Sequence, residues 1–330
     1  MMKLSFMVCW YMLLFYTCSA QDNKSQFIWG INGHPLTQQD YSNIDDQITA
    51  LNDLNVSSYR FDVVLNKDGY AKKQDDFIKL LKALKGNNIL PFAAVMQTGF
   101  GVMQPDSVYA TAVLQGKNFG TAYGDYFTVL EVNNEVDTKI ALKNSPGGVA
   151  SNTKYDTAKS KRFMAQISGF IDGIKSVKPS IKISLSVSFT HFYYLKLLQE
   201  NKVNYDIIGC HWYSNMGDML AQKLPIANVL SYIKTNFNKP VWITEFNRFK
   251  GTGSVSFAMQ SQYITESIPK LIAQRQIGAF FLYELFDEQS LAAKYPLEAN
   301  YGIMYRDPSG NFVKKDAYQG YKTMISRQTK

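Results

Sequence analysis

The chain has 330 residues, with 35 Lys and Arg against 27 Asp and Glu, a formal net charge of +8 and a pI near 9.1. The basic residues are scattered rather than clustered, and no zinc spacing or helix–turn–helix signature accompanies them, so no nucleic-acid partner is expected and a solvated surface is the simpler account. Three cysteines in so long a chain exclude a disulfide scaffold, and the length suits one large domain held by its core.

The N-terminal stretch "MMKLSFMVCWYMLLFYTCSAQ" puts Lys3 before an apolar run that ends in Cys18, Ser19 and Ala20. That order predicts a secretory signal peptide over residues 1–20, cleaved near Ala20, and hence a secreted or periplasmic protein with no stable membrane insertion afterwards. A minor second reading, lipidation at Cys18, is weakened by Thr17, because the preceding residue is usually smaller. Cleavage removes Cys9 and Cys18 and leaves Cys210 without a disulfide partner.

Residues 21–330 show no linker, composition shift or repeat. Short runs rich in Val, Ile and Phe alternate instead with longer amphipathic stretches, the pattern of βα units around a parallel sheet. The predicted strands are "FIWGIN" from Phe27, "SSYRFDVV" from Ser57, "ILPFAAVM" from Ile89, "FTVLEVNN" from Phe127, "IKISLSVS" from Ile181, "YDIIGCHWY" from Tyr205, "PVWITEFN" from Pro240 and "GAFFLYELF" from Gly278. Between them the predicted helices include "DDFIKLLKALKG" from Asp75, a long one capped by Asp156, "YYLKLLQENK", "IANVLSYIKTNF" and "SQYITESIPKLIAQRQ". Eight strands with helical crossovers in this length fit a single-domain α/β fold, a (β/α)8 TIM barrel, better than an open sheet. In such a barrel the chemistry lies at the C-terminal strand ends.

Those ends are where polar residues appear. The fourth run finishes "VLEVNNEVD", and a buried carboxylate there needs a partner or a chemical task. Strict alternation puts Glu131, Asn133 and Glu135 on one face, Gly209, His211 and Tyr213 on another, and Val241, Ile243 and Glu245 on a third. Arg60 and Asp62 on the second strand and Glu284 near the eighth follow the same rule. Two carboxylates facing one pocket make a general acid and a nucleophile when their surroundings differ, the requirement of glycoside hydrolysis.

With those residues in place, "VLEVNNEVD" resembles the fourth-strand Asn-Glu motif of the clan A retaining glycoside hydrolases, and "PVWITEFN" resembles their seventh-strand nucleophile. "YRFD", "GCHWYS" and "FFLYELFDE" fall on the second, sixth and eighth strands in that clan's order. The ending "EANYGIMYRDPSGNFVKKDAYQGYK" also resembles the clan's Gly-containing turn and Lys-x-Ala-Tyr helix, and families 5 and 39 are nearest in flavour. The resemblance implies Glu135 as acid/base and Glu245 as nucleophile, with Asn134 on the sugar 2-hydroxyl and Tyr213 and Arg60 orienting Glu245. It places His211 beside Glu135. The eighth-strand aromatic platform, usually Trp, would here be Tyr283 with Phe286 as the fallback, and Val136 stands where the family usually has Pro.

Other residues stay open at this level. His34 in "INGHP" either reaches the ligand or caps a loop, and His191 is similar. Arg60 has a structural alternative as the partner of Asp62, and Glu131 is expected to support Arg60 rather than touch sugar. Cys210 alternates away from His211 into packing, while Glu284, Asp287 and Glu288 are ambiguous. The expected substrate is a β-linked polysaccharide or oligosaccharide, cut without metal or organic cofactor. The connections "QTGFGVMQPDSVYATAVLQG" and "DEQSLAAKYPLEAN" look moderate in length and favour an open cleft and endo action. An exo-acting β-glycosidase and a non-catalytic glycan-binding barrel are the alternatives.

Overall fold

The computed structural model describes residues 27–142 and 154–328, so the expected signal peptide and Cys18 lie outside the described residues. Eight parallel strands close into a barrel in chain order: β1 (Ile28–Gly33), β2 (Ser58–Val64), β3 (Leu90–Met96), β4 (Val129–Val132), β5 (Lys182–Ser188), β6 (Ile207–Tyr213), β7 (Val241–Asn247) and β8 (Ile277–Leu282), with β8 pairing back to β1. This is the expected (β/α)8 barrel.

Its strands read as nearly unbroken apolar runs because both faces are buried. One face meets the helices, and the other fills the barrel. Inside, Phe92, Val129, Ile207, Ala279 and Phe281, with Ile28 and Trp242 packed on them, form a small core of their own, separate from the large cluster under the helices. The barrel bottom is therefore closed by bulky rings, and polar side chains are confined to the other end.

The helices are α1 (Ile44–Leu54), α2 (Gln74–Gly86), α3 (Pro105–Tyr123), the short α4 (Val136–Ile140), α5 (Thr157–Val177), α6 (Phe192–Glu200), α7 (Val229–Phe237), α8 (Phe257–Ala273) and α9 (Asp316–Gln328). The Asp156 side chain accepts from Lys159 N and so caps α5 as expected, supplying an acceptor to a helix end that otherwise lacks one. The closing Lys-x-Ala-Tyr helix is α9, which packs against α8 and α1 and completes the outer ring. Its Tyr321 hydroxyl donates to the Gly30 carbonyl at 2.5 Å, tying the chain's end to the first strand. A hairpin of β9 (Met304–Arg306) and β10 (Phe312–Lys314) leads into it.

Three expectations are corrected here. The stretch after β3, read as a connection, is mostly the helix α3, which leaves only residues 97–104 as rim. Small residues interrupt its apolar face: α3 crosses α5 so closely that a Cβ on Gly116 would lie 2.1 Å from the Phe170 carbonyl oxygen. The other two concern alternation. Strand β4 stops at Val132, and Asn133 (φ 60°) and Glu135 (φ 46°) turn through the left-handed region, so Glu135 does not share a strand face with Glu131. On β7 Trp242 faces the barrel core while Val241 and Ile243 join the helix-side cluster, and just after Ile243 the pairing with β6 slips by one residue, with His211 opposite Glu245. Glu245 therefore does not share a face with Ile243; the bulge re-aims it into the mouth.

Candidate active site

Arg60 is the centre of the polar layer. It projects inward from β2, is 3% exposed, and uses each of the five N–H donors a guanidinium offers. Nε and Nη2 form a two-pronged pair with Glu131 at 3.0 and 2.8 Å, Nη1 donates to Glu245 Oε1 at 2.9 Å and to Asn32 Oδ1 at 2.6 Å, and Nη2 also donates to Asn134 Oδ1 at 3.1 Å. Glu131 thus supports Arg60, as expected. Asp62 does not pair with Arg60; it lies 2.9 Å from His34 Nδ1 instead. Asn32, inward on β1 and in turn donating to the Thr244 and Leu282 carbonyls, is a member of this layer that sequence reasoning missed. Its place one residue from the end of β1 is the signal that could have found it.

Glu245 is held from both sides. Arg60 takes Oε1, and the Tyr213 hydroxyl donates to Oε2 at 2.6 Å. His211, fully buried on β6, brings Nδ1 to 2.9 Å from Glu135 Oε1 and 3.4 Å from Glu245 Oε2. One ring nitrogen therefore sits between the two carboxylates, and one carboxylate oxygen of each together with that nitrogen lie within 4.8 Å of one another.

Glu135 reaches this position from a left-handed turn that costs on the order of 1–3 kcal/mol in a residue with a Cβ. Local bonds offset it: its N–H donates to Ser186 Oγ at 3.1 Å and its carbonyl accepts from Thr138 Oγ1 at 2.8 Å. Val136, standing where Pro was the family expectation, is the buried first residue of α4, a position that accommodates either. Beneath it, Asp137 is fully buried and accepts from Ser188 N at 3.1 Å, with His191 Nδ1 at 2.6 Å. His191 thus bonds Asp137, behind the carboxylate pair.

Burial raises the Glu135 carboxyl, but the hydrogen bond and charge of His211 outweigh it, and the carboxyl stands below its ordinary value. Burial lowers His211, yet the charge of Glu245 and the bond to Glu135 outweigh that, and the imidazole stands above its ordinary 6.5. The two groups act as one proton-sharing pair.

These side chains open into a cavity of about 320 Å³ lined also by His34, Asp62, Asn134, Tyr283, Glu298 and Tyr301. A larger hollow of about 540 Å³ lies outside the barrel near Tyr155 and Asn201 and presents no carboxylate, so chemistry and not size marks the site. Tyr283 forms one wall, edge-on to Tyr213 (centroids 6.0 Å apart) and to Tyr301 (5.3 Å). Phe286, the fallback for that wall, is excluded from the cavity: it is buried and stacks on Phe312 at 4.0 Å. Glu298, in the connection after β8, also lines the cavity. Sequence reasoning missed it because an irregular loop carries no periodicity.

A second acidic cluster lies beside the cavity. His34, Glu284 and Glu288 each offer a ligand atom within 4.8 Å of the others. Burial and the charge of Glu288 raise Glu284 well above its ordinary value, and burial raises Glu288 to about 7. Burial alone would lower His34, but the charge and hydrogen bond of Asp62 raise it to about 10. Cys210 is buried packing away from His211, its thiol pushed up to about 12 by burial.

No curated protein matches the sequence. Solved structures share the fold. The β-glucosidase from Thermotoga maritima in complex with glucoimidazole is 14% identical over 92% of this chain and 98% of its own, with a TM-score of 0.68. The AHE enzyme from Alicyclobacillus herbarius is 13% identical over 92% and 97%, TM-score 0.62, and the β-glycosidase BGL167 is 13% identical over 92% and 96%, TM-score 0.64. Identities this low establish a common barrel. The family itself comes from a different match: the glycosyl hydrolase catalytic core covers residues 134–300, from Asn134 through Glu245 to the loop after β8. That segment is just over half of the chain, and the protein accordingly belongs to the glycosyl hydrolases with this catalytic core.

Proposed function

We propose that the protein hydrolyses β-glycosidic bonds with retention of configuration, Glu245 acting as nucleophile and Glu135 as acid/base. The gap between the two carboxylates supports this assignment. An oxygen of one lies within 4.8 Å of an oxygen of the other, with His211 beside both, a close approach in keeping with the carboxyl separation of about 5–5.5 Å that retention uses.

In the first step a Glu245 oxygen attacks the anomeric carbon as the bond to the leaving oxygen breaks, and the proton held between His211 and Glu135 passes from Glu135 to that oxygen. In the second, water attacks the same carbon, Glu135 takes its proton, and the ester to Glu245 breaks. Asn134 has its amide oxygen held by Arg60, which leaves its N–H2 to donate to the sugar 2-hydroxyl, a contact that strengthens in the oxocarbenium-like transition state. Tyr283 supplies an apolar wall for the ring, and His34 a polar one.

The cavity bears on the sugar class. It is lined by Asp62, Glu135, Glu245 and Glu298 with His34 as the one basic side chain among the lining residues, so a uronic acid would meet like charge there despite the protein's net charge of +8. A neutral or amino sugar fits. Endo action is the finer proposal, because the rim after β3 is only residues 97–104 and leaves that side of the mouth low. A glycan binder without activity has no use for two carboxylates held on one histidine. Residues 1–20 direct the protein to the periplasm or outside the cell, which mass spectrometry of the mature N-terminus checks, including acylation at Cys18.

The test is incubation of the wild type, Glu135→Gln and Glu245→Gln with β-glucans, mannans, xylans and acidic polysaccharides, reading new reducing ends and product length. Cleavage of a neutral glycan into internal fragments by wild type alone is expected. Activity persisting in either variant contradicts the roles, and release of single sugars only contradicts endo action.

A further inference from the structure

The polar network around Arg60 leaves one neighbouring cluster unexplained. His34 follows β1, and Glu284 and Glu288 follow β8, the strand that pairs with β1, so the closure of the barrel brings the three together. Glu284 and Glu288 are 0% and 1% exposed, yet Oε1 of each has no protein hydrogen-bond partner, and neither has His34 Nε2. Such groups carry a desolvation cost unless something binds them.

Among the described residues the basic side chains closest to Glu284 and Glu288, His34 apart, are committed to other carboxylates. Lys315 is taken by Asp287 at 2.7 Å, and Arg60 by Glu131 and Glu245. His34 is the basic side chain nearest to Asp62, Glu284 and Glu288, with Arg60 and Lys139 acting on Asp62 from farther away. The second layer has the form of a ligand set. Asp62 Oδ2 lies 2.9 Å from His34 Nδ1 and takes the bond of that nitrogen, which leaves Nε2 as the one from which a cation would displace a proton, and the Tyr41 hydroxyl donates to Glu284 Oε2 at 2.8 Å, fixing that carboxylate. Nε2 is 3.5 Å from Glu284 Oε2, so the carboxylate that carries the unpartnered Oε1 lies against this nitrogen.

We propose that His34, Glu284 and Glu288 bind a divalent cation of the zinc class, which ties the connection after β8 to the end of β1. The imidazole donor favours zinc over calcium or magnesium, which prefer oxygen alone. The site borders the proposed hydrolysis, since His34 also lines that cavity, and its test does not read activity. The Glu135–His211–Glu245 triad, similar in composition, does not qualify, because Arg60 and the Tyr213 hydroxyl already occupy Glu245.

The experiment uses full-length protein without a polyhistidine tag, dialysed against chelator, then against zinc chloride, and desalted. Elemental analysis is expected to find about one zinc per chain, the single open-site stoichiometry of one three-ligand cluster. Glu288→Gln is expected to weaken zinc at least about tenfold, with Glu288→His restoring it and Glu135→Gln leaving it unchanged. Cobalt(II) added to the wild type should give visible absorption bands that zinc abolishes, a readout that needs no variant to fold. Wild type without stoichiometric zinc and without cobalt bands overturns the proposal, and means that protons alone balance the cluster. Zinc retained by Glu288→Gln, or lost in Glu135→Gln, overturns the location.

Discussion

Two triads of one histidine and two glutamates lie at the mouth of this barrel, and their charges are balanced in different ways. In Glu135–His211–Glu245 the surplus carboxylate is met by Arg60, whose five donors are all engaged, and by the Tyr213 hydroxyl. In His34–Glu284–Glu288 no arginine enters, and three polar atoms are buried without a protein partner. The first arrangement orients a carboxylate and leaves a proton shared on its far side, which suits bond cleavage. The second is short of positive charge, which suits a cation. Composition alone does not separate them; what the neighbouring strands contribute does.

The contrast breaks most sharply at Glu245. Glu245→Gln is expected to lower kcat/KM at least about 10⁴-fold on any substrate, because no other group forms the covalent intermediate. Glu135→Gln should cost about 10²–10⁴-fold on a natural glycan and far less on an aryl glycoside whose leaving group needs no proton, measured as the ratio of the two substrates. Equal losses on both would remove the acid role.

Arg60→Met tests the balance itself. It strands Glu131 and Glu245 as buried charges and should destabilise by about 3–5 kcal/mol, or on the order of 10 °C in Tm, by thermal unfolding. A change under about 1 kcal/mol, the size of an exposed ion pair, would mean that Arg60 does not hold the layer together. His211→Asn addresses the shared proton. The histidine holds that proton above its ordinary 6.5, so the alkaline limb of the kcat/KM profile should lie above that pH in wild type. Without the imidazole the proton rests on Glu135 alone, which loses the bond and charge that lower it and keeps the burial that raises it, so the limb should shift to that carboxyl's own position. A limb that stays in place would detach His211 from the acid. Zinc sharpens the comparison with the smallest effect: it should raise the Tm of wild type by a few degrees, about what a ligand well above its Kd confers, and leave Glu288→Gln unmoved.

The barrel was legible because strands buried on both faces read as continuous apolar runs, and each observed strand begins within a residue or two of its expected start. Glu135 and Glu245 were legible as carboxylates at strand ends, but the alternation used to aim them was not how they are aimed. A left-handed turn places Glu135 and a bulge places Glu245, and both depend on pairing with distant strands. For the same reason Asn32 and Glu298 stayed hidden: one is recognised only once Arg60 is seen to reach it, and the other sits in a loop brought over the cavity by the turn after β8. Helix α3 was missed although Val108, Ala112, Phe119 and Tyr123 are buried along it, because Gln115, Gly116 and Gly120 interrupt that stripe where the helix packs on α5.

The central claim is double displacement across the narrow gap spanned by His211. Proton NMR of the first product released from a β-linked substrate, recorded before mutarotation, tests it most directly. The β-anomer is predicted; an initial α-anomer would mean single displacement by water and would contradict Glu245 as nucleophile.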